Sequence, residues 1–156
     1  MFARDPIGDL NTHVVSNQPP PLVDYNLYDS DPSLREALQR EGAAWSEERV
    51  RGMGQATGSS ETIALGFVAN RQPPELFTHD NTGRRIDEVE YHPAYHFLMR
   101  LGLEEEIHSI AWTDQHPGRH VAHAALEYLL TQCEAGVCCP ITMTYASVPA
   151  LRHAPE

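Results

Sequence analysis

The stretch from about Arg119 to Ala135 constrains this chain more than any other. Val121, Ala124, Ala125, Leu126, Tyr128, Leu129 and Leu130 fall at helical spacing and make an apolar face too broad for a helix with one neighbour. Such a helix has to be surrounded, so the rest of the chain must supply packing partners. With 156 residues there is enough chain for one domain around one core. The expected fold class is all-α, a helical bundle with residues 119–135 at its centre.

The neighbours are legible from their ends. Asp31-Pro32 reads as an N-cap and first helical position, followed by Leu34, Leu38 and Trp45, with Gly42 as an interruption. Ser46 restarts a helix whose first turn holds Glu47 and Glu48; Gly52 and Gly54 weaken it and Gly58 ends it. Ser59-Ser60 caps a third short helix carrying Ile63, Leu65, Phe67 and Val68, which Pro73-Pro74 stops. Period-two alternation on either side of Asn81-Thr82-Gly83 predicts a small hairpin or ordered loop around 75–90. His92-Pro93 opens a helix with Phe97, Leu98 and Leu101 inside and Gly102 as its stop, and Leu103 to Trp112 forms a short helix of its own. Pro140 opens a last apolar segment, Ile141 to Leu151, whose threonines and small residues suit close packing or a substrate-facing wall.

Residues 1–29, with the run Gln18-Pro19-Pro20-Pro21, form an extended arm ahead of the helical domain at 30–156. Leu22, Tyr25, Leu27 and Tyr28 leave two readings of it, a strap lying across another surface or a frayed leader.

The formal net charge is −11, and every one of the 11 cations is arginine. An acidic surface opposes binding to nucleic acid or anionic lipid, because neutralising phosphate needs a cationic face. No apolar run approaches the roughly 20 residues that cross a bilayer, and the first residues lack the apolar core of a signal peptide. The cytoplasm is the expected compartment. Cys133, Cys138 and Cys139 crowd within seven positions, unlike a secreted disulfide framework. Beside Val137 and Ile141, the Cys138-Cys139 pair reads as buried packing.

Nine histidines raise a metal hypothesis. His116, His120 and His123 stand at i, i+4 and i+7 and can share one helical face. Zinc needs about four convergent ligands. The nearest thiol on that helix, Cys133, lies roughly 15 Å along the axis from His123 at about 1.5 Å per residue. The reading preferred is individually satisfied histidines and no metal; the alternative is an independent His-rich helical module that binds metal or ligand. His92 and His96, one helical turn apart, could be ligands or acid–base groups; the plainer reading sets His92 near the helix start and His96 hydrogen-bonded inside an aromatic cluster with Tyr91, Tyr95 and Phe97. There is no GxSxG, P-loop or GxGxxG, so neither catalytic nor cofactor-binding residues are expected.

Seven segments in register then carry a resemblance. They are Thr12-His13-Val14-Val15-Ser16-Asn17-Gln18-Pro19, Asn26-Leu27-Tyr28, Arg40-Glu41-Gly42-Ala43-Ala44-Trp45, Asn70-Arg71-Gln72-Pro73-Pro74-Glu75-Leu76, Gly83-Arg84-Arg85-Ile86-Asp87, His92-Pro93-Ala94-Tyr95-His96, and Cys139-Pro140-Ile141-Thr142-Met143-Thr144. In this order they resemble the N-terminal part of AidB-type proteins, the adaptive-response branch of the acyl-CoA dehydrogenase superfamily. The resemblance implies a helical N-terminal domain with a leading arm, followed in the parent by a β-barrel-like middle domain and a C-terminal helical bundle. FAD would sit mainly between those later domains of a tetramer, and a C-terminal region would contact DNA. This chain is expected to stop before them. Alone it would be inactive and free of cofactor, with the parent's other domains and further copies as its partners. By offset from Pro140, the resemblance places Tyr128, Gln132 and Gly136 in the wall of the acyl pocket; simple packing of Tyr128 and Gln132 against a neighbouring helix is the competing reading.

Overall fold

The computed structural model describes residues 12–14 and 16–154; residues 1–11 and Val15 of the expected arm, and the last two residues, lie outside the description. The elements are α1 (Pro32–Arg40), a single 3-10 turn (Ala44–Ser46), α2 (Glu47–Thr57), α3 (Ser60–Arg71), β1 (Glu75–His79), β2 (Arg85–Glu90), α4 (Pro93–Glu104), α5 (Ile110–Thr113), α6 (Arg119–Cys133) and α7 (Cys138–Arg152). The fold is mostly helical, with one two-stranded antiparallel sheet.

Helix α6 is central, touching α1, α2, α3, α5 and α7. Ala122, His123, Ala125, Leu126, Leu129 and Leu130 are its buried positions. Around them the core gathers Leu38, Val50, Met53, Leu98, Ile107, Ile110, Val137 and Ile141. Ala124 and Tyr128 are exposed, so the buried face is narrower than the raw apolar pattern implies.

The caps fall where expected. The Asp31 carboxylate accepts from the N–H of Leu34 at 2.9 Å, and the Ser59 hydroxyl from that of Thr62 at 3.2 Å. The imidazole of His92 does the same for Ala94 at 3.1 Å. After α1 the chain reverses at Gly42, whose φ is +75°.

The stretch approaching α1 packs on the chain itself. Leu27 and Tyr28 are in the core, Asp24 donates to the Gly58 carbonyl at 2.8 Å, and Leu27 donates to that of Gly54 at 3.1 Å. The glycines that weaken α2 as a helix are the ones that let this strap lie against it. A Cβ at Gly54 would sit 2.7 Å from the Tyr28 nitrogen. Residues 16–21 are exposed.

Five local expectations are corrected. Gly102 does not stop α4, which runs on to Glu104; it is buried because Ile141 and Leu130 press to within 2.6 and 2.9 Å of where its Cβ would be. Phe97 is 43% exposed, pointing away from the side of α4 that buries Ala94 and Leu98. Leu103 to Trp112 is not one helix but the end of α4, a turn held by Ile107 N–H on the Gly102 carbonyl, and the short α5. Pro140 does not open its segment either: α7 begins at Cys138, and Pro140 sits in the first turn, where a missing N–H costs nothing. Cys138 is buried as expected, whereas Cys139 is exposed. Among the described residues, no helix is long and apolar enough to cross a membrane.

Candidate functional site

The three positions assigned to a pocket wall separate into two places. Tyr128 and Gln132 lie on the exposed side of α6. The Tyr128 hydroxyl donates to Asp31 Oδ2 at 3.3 Å, tying α6 to the cap of α1, and that carboxylate pushes the phenol above its usual range. Gly136 is not on the helix at all. α6 ends at Cys133, Glu134 turns extended, and Gly136 falls in the loop to α7. There the Glu134 carboxylate accepts from the N–H groups of Gly136 at 2.9 Å and Val137 at 2.8 Å.

Gly136 lines a hollow of about 290 Å³ with Asn70, Gln72, Pro73, Pro74, Tyr95 and Glu134. Tyr91 lines this hollow and two adjoining ones, of about 180 and 470 Å³, which continue along the hairpin past Glu75 and Glu90 to Phe77 and His79. Together they form one groove between the end of α3, the start of α4 and the hairpin. Its floor is aromatic: Tyr91 and Tyr95 stack with ring centroids 4.3 Å apart, and His96 meets both edge-on. Burial, then the neighbouring Tyr91 and Glu134, push the Tyr95 phenol up. Two of the seven resembling peptides, 70–76 and 92–96, meet in this groove. Sequence reasoning found the peptides but not their convergence, which α3–α4 packing creates.

The three histidines of the metal hypothesis go to different surroundings. His116 stacks on Trp45 at 4.8 Å and sits 2.8 Å from Asp114, whose carboxyl the His116 N–H groups hold low. His120 is 2.9 Å from the Tyr145 hydroxyl. His123 is buried, with Nδ1 2.7 Å from the Ile107 carbonyl, Nε2 3.2 Å from Glu127, and the Tyr145 ring stacked on it at 3.8 Å. Among the described residues, no group of three or more His, Cys, Asp or Glu side chains converges as a metal ion requires. His116, His120 and His123 therefore do not converge on one point.

A flavin is the cofactor the resemblance implies, and its pyrophosphate needs free N–H donors and a wall that is not anionic. The donors at the start of α7 are taken by Glu134, and Glu75, Glu88 and Glu90 line the groove beyond. The described residues of this groove do not fit that group.

The architecture, a helical bundle interrupted by one hairpin, is that of an acyl-CoA dehydrogenase N-terminal domain. The crystal structure of Caenorhabditis elegans ACDH-11 in complex with C11-CoA superimposes with a TM-score of 0.72 at 26% identity, covering 98% of this chain and 26% of that one. The family model "Adaptive response protein AidB N-terminal domain" matches residues 17–156, and the chain belongs to that family. It is 48% identical over 141 residues to the putative acyl-CoA dehydrogenase AidB of Escherichia coli (strain K12), covering 90% of this chain and 26% of that protein. It is 30% identical over 132 residues to acyl-CoA dehydrogenase family member 11 of Caenorhabditis elegans, covering 81% and 21%. The chain thus spans about a quarter of the length of these relatives.

Proposed function

We propose that this chain serves as the N-terminal helical domain of a longer AidB-like, FAD-dependent acyl-CoA dehydrogenase-family protein of the adaptive response to DNA alkylation. Its role is architectural. It contributes to the wall of the substrate cavity, Tyr128 and Gln132 from the outer side of α6 and Gly136 apart from them in the loop to α7, and presents a surface to the flavin-bearing domains. The arm ahead of residue 22 contributes to assembly of a cytoplasmic tetramer, and DNA contact belongs to other parts of the parent. The observation that carries this reading is the outer face of α7. Past Ile141 the helix is largely exposed, with Met143 and Leu151 at 68% and 70%. Phe97 and Leu103 of α4 are also uncovered, as expected of a surface that another domain covers.

The test is a domain exchange. This chain replaces the matching quarter of the E. coli protein, and the chimera is purified beside the chain alone. A flavin-loaded chimera with a colourless isolated chain supports the reading. Tight FAD uptake or acyl-CoA oxidation by the isolated chain overturns it, as does a folded chimera that cannot hold flavin.

A further inference from the structure

The hairpin is exposed along its whole length. A lone two-stranded ribbon is marginal in water, and this one has two edges free of any other strand among the described residues. The two edges are built differently. β2 carries the devices that discourage pairing: Arg85, Asp87, Glu88 and Glu90, with a bulge opposite Phe77–His79 where Asp87 takes a φ of +46° and binds Arg85 at 2.7 Å. β1 has no bulge, and Glu75 is its one acidic residue. It is a regular run of Glu75, Leu76, Phe77, Thr78 and His79, with Leu76 and Phe77 62% and 42% exposed.

That run is complementary to itself. Laid antiparallel about a two-fold axis at Phe77, it sets Glu75 opposite His79, Leu76 opposite Thr78, and Phe77 opposite its own copy. No pair has like charge, and an aromatic pair forms at the centre. Within its own hairpin, by contrast, Glu75 faces Glu90, a like-charge pair that a histidine brought alongside relieves.

We propose that β1 is a dimerisation edge. Two copies of the chain pair β1 to β1 in this register, joining their hairpins into a four-stranded sheet with the α3–α4 grooves flanking it. The isologous geometry follows from the two-fold axis at Phe77, with Glu75 of each copy opposite His79 of the other.

Sedimentation equilibrium of the purified chain tests this together with site-directed cross-linking. The wild type is expected to be dimeric. Phe77→Lys places two ammonium groups face to face in the dimer but opposite Glu88 in its own hairpin, so it should weaken association by about tenfold or more while leaving the circular dichroism unchanged. Directly opposed residues in an antiparallel pair have Cα atoms roughly 4.5–5.5 Å apart, within disulfide reach. In a Cys139→Ser background, Phe77→Cys should therefore oxidise to a covalent dimer much faster than Glu88→Cys on the protected edge. A monomeric wild type overturns the proposal. So does a dimer indifferent to Phe77→Lys, or equal cross-linking through the two edges.

Discussion

The indole N–H of Trp112 donates to the carbonyl oxygen of Tyr145 at 3.0 Å, the acceptor whose own helical partner is missing because Pro149 lies four residues on. A proline inside a helix removes one N–H and leaves one carbonyl unpaired. Here a side chain from α5 supplies the donor, and the same indole stacks on the Tyr145 ring at 5.1 Å and carries the Arg152 guanidinium over its face. The outer half of α7, with few buried apolar groups, is held to the body through this indole and through the contacts of Tyr145 with His120 and His123.

The expected consequence is a coupled pair. Trp112→Phe keeps an aromatic ring and orphans the carbonyl, costing about 1–2 kcal/mol. Pro149→Ala restores the helical donor, so in its presence the cost of Trp112→Phe should shrink by about 1 kcal/mol. Urea unfolding of the four proteins of this cycle measures the coupling; additive losses would show that the indole acts by packing alone.

Two glycines of the same helical region separate cleanly. A Cβ at Gly58 would lie 1.9 Å from the Tyr25 carbonyl oxygen, while one at Gly52 meets nothing within 4 Å. Gly58→Ala has to displace the strap's backbone, whose Asp24 N–H also donates to the Gly58 carbonyl, and should cost about 2–3 kcal/mol. Gly52→Ala, mid-helix and open, should stabilise by about 0.5–1 kcal/mol. Thermal unfolding shifts of opposite sign are the expected readout.

This contrast also marks what the amino-acid order can reveal. Asp31 and Ser59 are legible as caps because each acts on a backbone N–H three residues away, and the hairpin is legible from its alternation and turn. Gly102 reads as a stop because a glycine that ends a helix and one that admits Ile141 and Leu130 look alike until the partner helix is placed. The offset that put Gly136 on one face with Tyr128 assumed an unbroken α6, which Glu134 interrupts to take the N–H groups of the following loop. The groove around Tyr91 and Tyr95 joins residues from positions 70 to 136 through tertiary packing, and no local pattern announces it. The resemblance carried its peptides without their meeting.

The cysteines provide a chemical check on the packing. Burial, with Cys138 alongside, pushes the Cys133 thiol up to about 12, and burial also raises Cys138. Only the thiolate reacts, so at pH 8 a group with a pKa near 12 is ionised roughly once in ten thousand molecules. Cys139 is exposed. Native protein treated with a maleimide at pH 8 should take up one equivalent, located at Cys139 by mass spectrometry, and three after denaturation. Rapid native labelling of Cys133 would mean that the α6–α7 junction opens.

The response to mild acid follows from His120. Partial desolvation, with Arg119 and His123 nearby, lowers its pKa below the ordinary 6.5. Nδ1 lies 2.9 Å from the Tyr145 hydroxyl; a neutral ring can accept that proton, and a charged ring can only donate. Between the lowered folded value and 6.5 the unfolded chain binds more protons than the folded one, so stability rises with pH across that window. The contribution is complete above 6.5 and is lost as pH falls through the folded value. Melting temperature should therefore decline from pH 7 toward pH 5, and His120→Gln, which cannot titrate, should flatten part of that decline while lowering stability at pH 7. Because His120 is exposed, solvent keeps the effect modest. An unchanged pH profile in the variant would remove His120 from the account and place the acid sensitivity with other groups.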